Sequence, residues 1–143
     1  IQQSKSMITV FAAVTAFENA TRDFAYSVLY DAFNTDWWEN GIQKSIKEKA
    51  LIRKEKESKL RYLSNRGSEL LSYVDFEDLS KIMTSSDNWV YFEPYLNDQE
   101  WARKIFSDLG NSRNVIMHSG ILDEFDITRI GVNIRDWLRQ INV

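Results

Sequence analysis

Apolar side chains recur at three- and four-residue intervals along most of the chain, the spacing that gathers them on one face of an α-helix. A first stretch from about Ser4 to Phe33 carries Met7, Phe11, Val14, Phe17, Phe24 and Val28 as a stripe for burial, and Asn34-Thr35-Asp36 marks its end. After Trp37-Trp38 and a break at Gly41, the segment from Gln43 to Leu63 is mostly charged. Ile46, Ile52, Leu60 and Leu63 are its sparse apolar contacts, so an exposed helix is expected. Beyond Gly67, Leu70, Leu71, Val74, Phe76, Leu79, Ile82 and Met83 supply core material for two short helices, with Asp75 as the cap between them.

From Thr84 to Asn97 the pattern changes. Polar residues, Pro94 and the aromatics Trp89, Tyr91, Phe92 and Tyr95 suggest a loop pinned to the body by its rings, with room for a short strand. A fourth helix should begin near Asp98 and direct Trp101, Ile105, Phe106, Leu109 and Ile116 inward. It should stop at Ser119-Gly120, where glycine suits a left-handed C-terminal turn. A final helix from about Glu124 to Ile141 presents Ile127, Ile130, Ile134, Trp137 and Ile141 at helical spacing. The expectation is an all-α fold, a single bundle of about five helices, with no internal repeat and no flexible linker.

Composition narrows the picture. A chain of 143 residues with 43% hydrophobic content buries one core, so residues 1–143 read as one domain; the start at Ile1 suggests a piece of a longer protein. Cysteine is absent, which excludes disulfides and thiolate zinc sites and fits a reducing cytoplasm. No run approaches the roughly 20 apolar residues a membrane helix needs, and no signal-peptide pattern opens the chain; the expected location is the cytoplasm, away from membranes. The net charge of −3 argues against a protein that coats polyanions, so any nucleic acid has to be gripped locally.

The candidate chemistry is concentrated late in the chain. There is no Gly-rich phosphate loop, no zinc-binding His-Glu-x-x-His helix and no nucleophilic cysteine, and His118 is the only histidine. One histidine cannot build a multi-histidine metal site, although it could join carboxylates, which makes metal-independent acid/base chemistry the more economical reading, with no cofactor and no metal. Around it the chain reads Ser112-Arg113-Asn114-Val115-Ile116-Met117-His118-Ser119, an Rx4H arrangement with an amide directly after the arginine.

These residues resemble the HEPN superfamily, whose ribonuclease members carry Arg, a polar residue such as Asn, and then His near the end of the penultimate helix. Asp36-Trp37-Trp38, the Leu70–Leu79 segment and Trp89 extend the resemblance over most of the chain, towards a branch found in RNA-processing and defence proteins. The resemblance implies an endoribonuclease of toxin or antiviral-defence type with Arg113, Asn114 and His118 as its site.

The residue types suit that chemistry. RNA cleavage without a metal removes the ribose 2′-OH proton, stabilises charge on the attacked phosphate and protonates the leaving 5′-oxygen. Histidine transfers protons near neutrality, and the planar, permanently charged guanidinium of arginine matches phosphate oxygens, with Asn114 to orient either group. On one helix, however, five residues turn through about 140° and rise about 7.5 Å, so Arg113 and His118 do not stack. This favours a site built from two copies, a homodimer through the Rx4H helices as the resemblance implies, acting on RNA. A sensor or antitoxin is a further possible partner.

Plainer readings stand beside this one. His118 in a last helical turn also suits the terminal carbonyls and the helix dipole, with Arg113 simply exposed. The domain is alternatively a noncatalytic HEPN module that binds RNA, a nucleotide or another protein, or an oligomerisation domain. Gly110, inside the fourth helix at a cost of about 1 kcal/mol relative to alanine, indicates either a close backbone approach, such as that of a partner helix, or a kink. Lys44, Lys47, Lys49, Arg53, Lys54, Lys56, Lys59 and Arg61 outnumber Glu48, Glu55 and Glu57, making a basic stretch that is either a solvated face or a track for the RNA backbone. Asp75, Glu77 and Asp78 lie close enough to invite a metal, but they are what a helix start wants near its positive end, and capping is the reading taken.

Overall fold

A computed structural model describes residues 2–60, 62, 69–118 and 120–142. Its α-helices are α1 (Gln2–Phe33), α2 (Trp37–Gly41), α3 (Lys44–Ser58), α4 (Phe76–Thr84), α5 (Trp89–Leu96), α6 (Gln99–Met117) and α7 (Glu124–Ile141). Single 3-10 turns at Asn34–Asp36 and Leu70–Tyr73 join them, and no strand occurs among the described residues. The all-α bundle expected from the sequence is therefore present. Among the described residues, no helix is long and apolar enough to cross a membrane.

Local chemistry fixes the helix starts. The Asp75 carboxylate accepts from the Asp78 N–H at 2.8 Å, that of Asp98 from the Trp101 N–H at 3.1 Å, and Asp123 forms a reciprocal capping box with Asp126. Each satisfies an amide at a helix start that has no intrahelical acceptor, a contribution of about 1 kcal/mol apiece.

The core is organised by four rings from four helices. Phe17, Phe76, Phe106 and Trp137 are at most 3% exposed and lie with ring centroids 4.9–6.0 Å apart, joining α1, α4, α6 and α7 at one point. Their tilted and edge-on orientations match the aromatic quadrupole. Trp137 Nε1 donates to Thr21 Oγ1 at 2.9 Å, and that hydroxyl donates to the Phe17 carbonyl at 2.8 Å, so the indole N–H and the Thr21 hydroxyl are both paired.

Several expectations are corrected. Residues 89–96 form α5, not a loop or strand, and Pro94 lies inside it. The proline removes only the amide that would serve the carbonyl of Val90, which is exposed, while Phe92 and Leu96 on the other face are buried, so burial outweighs the lost bond. On α1 the stripe runs through Val10, Val14, Phe17, Ala25, Val28 and Leu29, whereas Phe11 is half exposed. On α3, Ile46 and Ala50 are buried but Ile52 faces solvent, and Leu60 beyond the helix is exposed; the expected contact at Leu63 lies outside the described residues. Gly120 does not take a left-handed conformation. Its N–H donates to the Val115 carbonyl at 2.8 Å, and a Cβ there would lie 2.7 Å from Val115 Cγ1, so glycine permits a close approach. The expected stop at Ser119 lies outside the described residues.

The basic stretch proves to be partly internal fastening. Lys49 Nζ meets the buried Asp78 at 2.9 Å, Arg53 Nη2 meets Asp75 at 3.0 Å and its Nη1 donates to the Tyr73 carbonyl at 2.9 Å, while Lys47 reaches the Glu39 carbonyl. Asp75 and Asp78 are thereby spent on capping and ion pairs, and no cluster with the makings of a metal site occurs among the described residues.

The hydrogen bond and charge of Asp78 raise the Lys49 pKa above its ordinary 10.5. A raised lysine pKa contributes stability that is fully present below the ordinary value and is lost as pH climbs through the raised one. The lysine's share of the pair therefore holds across neutral pH and is lost in strongly alkaline solution. Lys49→Met leaves a carboxylate that is 2% exposed with the longer 3.7 Å contact to Lys81 Nζ and should lower the thermal unfolding midpoint by about 5 °C, with Lys49→Met/Asp78→Leu recovering part of the loss. No recovery in the double variant would show that Asp78 is not the reason.

Candidate active site at the end of α6

Arg113 and His118 leave α6 in different directions. Arg113 turns inward: its Nε lies 3.4 Å from Glu18 Oε1 on α1, its guanidinium carbon sits 5.8 Å from the centroid of the Phe76 ring, and its side chain is 33% exposed. The four-ring core therefore sets its position, since Phe76 is one of those rings and Glu18 directly follows another, Phe17.

Glu18 serves two arginines. Its second oxygen is 2.6 Å from Nη2 of Arg22, which also donates to the Val74 carbonyl at 2.8 Å. With side chains only 14–15% exposed, this pair is well shielded from solvent, and the carboxylate is held between two guanidinium groups. The Arg22–Glu18 spacing of four residues was readable as an i,i+4 pair, but the partnership of Glu18 with Arg113 joins distant parts of the chain and carries no local signal.

His118 is the C-cap of α6, with φ −93° and ψ 21°, and only its backbone is engaged: its N–H donates to the Asn114 carbonyl at 3.0 Å. Its imidazole is exposed and has no hydrogen bond or ion pair among the described residues. The plainer expectation that it satisfies the last carbonyls is thus not met, nor is the expectation that Arg113 is simply exposed. Asn114 is exposed beside Arg113, and its side chain likewise makes no hydrogen bond to either neighbour. The structure brings Arg113 and Asn114 together around a cavity of about 290 Å³, with Asp75, Phe76, Glu77 and Gly110 as its other walls; His118 is not among them.

Several apolar side chains near His118 in the chain are left uncovered. Val115, Met117, Ile121 and Phe125 are 38%, 57%, 66% and 85% exposed, an unusual amount of uncovered hydrocarbon for so short a run. Taken singly, the chain presents a shielded cation and an exposed imidazole at one helix end, with uncovered apolar side chains near it in the chain.

Comparison with curated proteins yields no match, and comparison with solved structures yields none either. The family model described as Swt1-like HEPN matches residues 13–142, from α1 through α7, with Arg113, Asn114 and His118 inside the matched span. The chain belongs to the Swt1-like HEPN family.

Proposed function

We propose that this HEPN domain is a metal-independent endoribonuclease that works as a homodimer, with a role in defence or toxin–antitoxin biology. The observation that carries the reading is the end of α6, where Arg113 is aimed and partly shielded while the imidazole of His118 stands free beside uncovered apolar side chains. Pairing two such ends covers Val115, Met117 and Phe125 and gathers two arginines and two histidines around one cleft, which the divergent directions within a single chain require.

In the cleft one His118 takes the 2′-OH proton, the 2′-oxygen bonds to phosphorus and the bond from phosphorus to the 5′-oxygen breaks. The second His118 delivers a proton to that oxygen, and Arg113 stabilises the charge on the phosphorane. The products are a 2′,3′-cyclic phosphate and a 5′-hydroxyl, and DNA is spared because it has no 2′-oxygen nucleophile. Incubating the purified chain with total RNA in EDTA should give fragments with these ends; RNA left intact by a dimeric preparation counts against catalysis.

The pairing of Arg113 with Glu18 favours one alternative, a noncatalytic helical module for RNA or nucleotide binding or for dimerisation, in which Arg113 is a structural cation. The same assay separates the two readings.

A further inference from the structure

Two cavities adjoin along the seam between α4 and α6. The one at Arg113 continues into a second of about 300 Å³, at whose far end lie Lys81 and Arg103, and the two share Glu77 and Gly110. The helices run antiparallel here, for the start of α4 faces the end of α6 while the Thr84 carbonyl, at the end of α4, accepts from Gln99 Nε2 and Arg103 Nη2 near the start of α6.

Gly110 stands where the cavities meet. Glycine is disfavoured within a helix, yet packing does not demand it: an added Cβ would lie 3.5 Å from Phe76, an ordinary contact. What the missing side chain does is keep the groove continuous above the buried rings of Phe76 and Phe106. This gives a third account of a residue whose sequence suggested a partner helix or a kink.

We propose that a single strand of RNA lies in this groove, running from the phosphate held at Arg113 across Gly110 to Arg103 and Lys81; the inference rests on the reading of Arg113 and His118 as an RNA-cleaving pair. Cations stand at both ends, ten residues of α6 apart, which is about 15 Å and enough for a short run of nucleotides. Arg103 is 48% exposed, and its bonds to Thr84 and Glu100 hold the guanidinium at the groove while leaving further donors for phosphate oxygens. Lys81 is 65% exposed, and its ammonium lies 3.7 Å from the buried Asp78 Oδ1, a contact long enough to leave its other donors to solvent and phosphate. Between the charged ends, Ser107 and Asn111 offer a hydroxyl and an amide to ribose and base edges, while the exposed carboxylate of Glu77 on the α4 side accepts from ribose hydroxyls or base amines and keeps the phosphates towards α6. A duplex is too wide to descend between two helices in contact, whereas an unpaired strand presents its phosphates and bases to such a seam.

The test reads binding without cleavage, in the 143-residue chain carrying His118→Ala, by fluorescence anisotropy of a short labelled single-stranded RNA. Gly110→Ala should fold and weaken binding slightly, about twofold, and Gly110→Leu should weaken it about tenfold by filling the groove. Lys81→Gln/Arg103→Gln should reduce the slope of log affinity against log salt by about 1.4, as expected for two lost phosphate contacts on a single strand. A folded Gly110→Leu variant that binds as tightly as Gly110→Ala overturns the proposal. Should that variant fail to fold, an unchanged salt slope in the charge variant overturns it instead. Failure of the wild-type chain to cut RNA tells against the cleavage reading and leaves these affinities to decide the groove.

Discussion

Replacing His118 with alanine is expected to slow RNA cleavage by roughly 10²–10⁴-fold, the usual contribution of a positioned general acid or base, while leaving the thermal unfolding midpoint unchanged. The separation follows from the geometry. The imidazole is exposed and bonded to nothing among the described residues, and the helix end is held by the His118 backbone N–H, which alanine keeps. Arg113→Ala should slow cleavage by about 10²–10³-fold through loss of phosphate-charge stabilisation, but should also destabilise the fold. It removes a partner of the shielded Glu18 and a cation resting over Phe76. A continuous assay with a fluorogenic RNA in EDTA, run beside thermal unfolding and sedimentation, distinguishes the outcomes. A His118→Ala chain that cuts at the wild-type rate ends the assignment of His118. One that loses activity only in proportion to its dimer content moves the residue from the chemistry to the interface.

The contrast between these two substitutions was only half readable in the sequence. The Rx4H spacing singled out Arg113, Asn114 and His118, and helical geometry already said that the first and last diverge. What it could not say was that Arg113 points into the protein, because that depends on Glu18 and Phe76, which reach it from α1 and α4 by tertiary packing alone. Helix starts were legible wherever an aspartate stands before an apolar-periodic run, as at Asp75, Asp98 and Asp123, since capping is a local reaction between a side chain and amides two or three residues on. The segment around Pro94 was misread for the opposite reason. Proline and four aromatics break the local helix signal, and α5 exists because Phe92 and Tyr95 find Phe24 of α1 at 5.8 and 5.6 Å, an interaction invisible along the chain. The basic α3 shows the same limit. Its charge pattern was plain, but that Lys49 and Arg53 are tied to Asp78 and Asp75 depends on where α4 begins in space.

The largest effect on stability should come from Trp137. Trp137→Ala is expected to cost about 3–5 kcal/mol, a large share of the roughly 5–15 kcal/mol that holds a domain folded, because the ring is fully buried among Phe17, Phe106 and Trp101 and nothing nearby can fill its volume. Trp137→Phe should cost about 1–3 kcal/mol: it keeps part of the ring contact and loses the indole N–H, so Thr21 Oγ1 goes without a donor but still gives its own proton to the Phe17 carbonyl. Urea unfolding of the two variants measures the difference, and equal losses would mean that the hydrogen bond rather than the ring volume anchors α7. The consequence reaches the site. Trp137 presses on the turn of α1 between Phe17 and Thr21, and Glu18 lies in that turn with its carboxylate on Arg113. A Trp137→Phe chain that remains folded should therefore cleave RNA more slowly than its stability alone explains, through a less well aimed arginine. Restoration of the wild-type rate at saturating RNA would instead place the effect in binding.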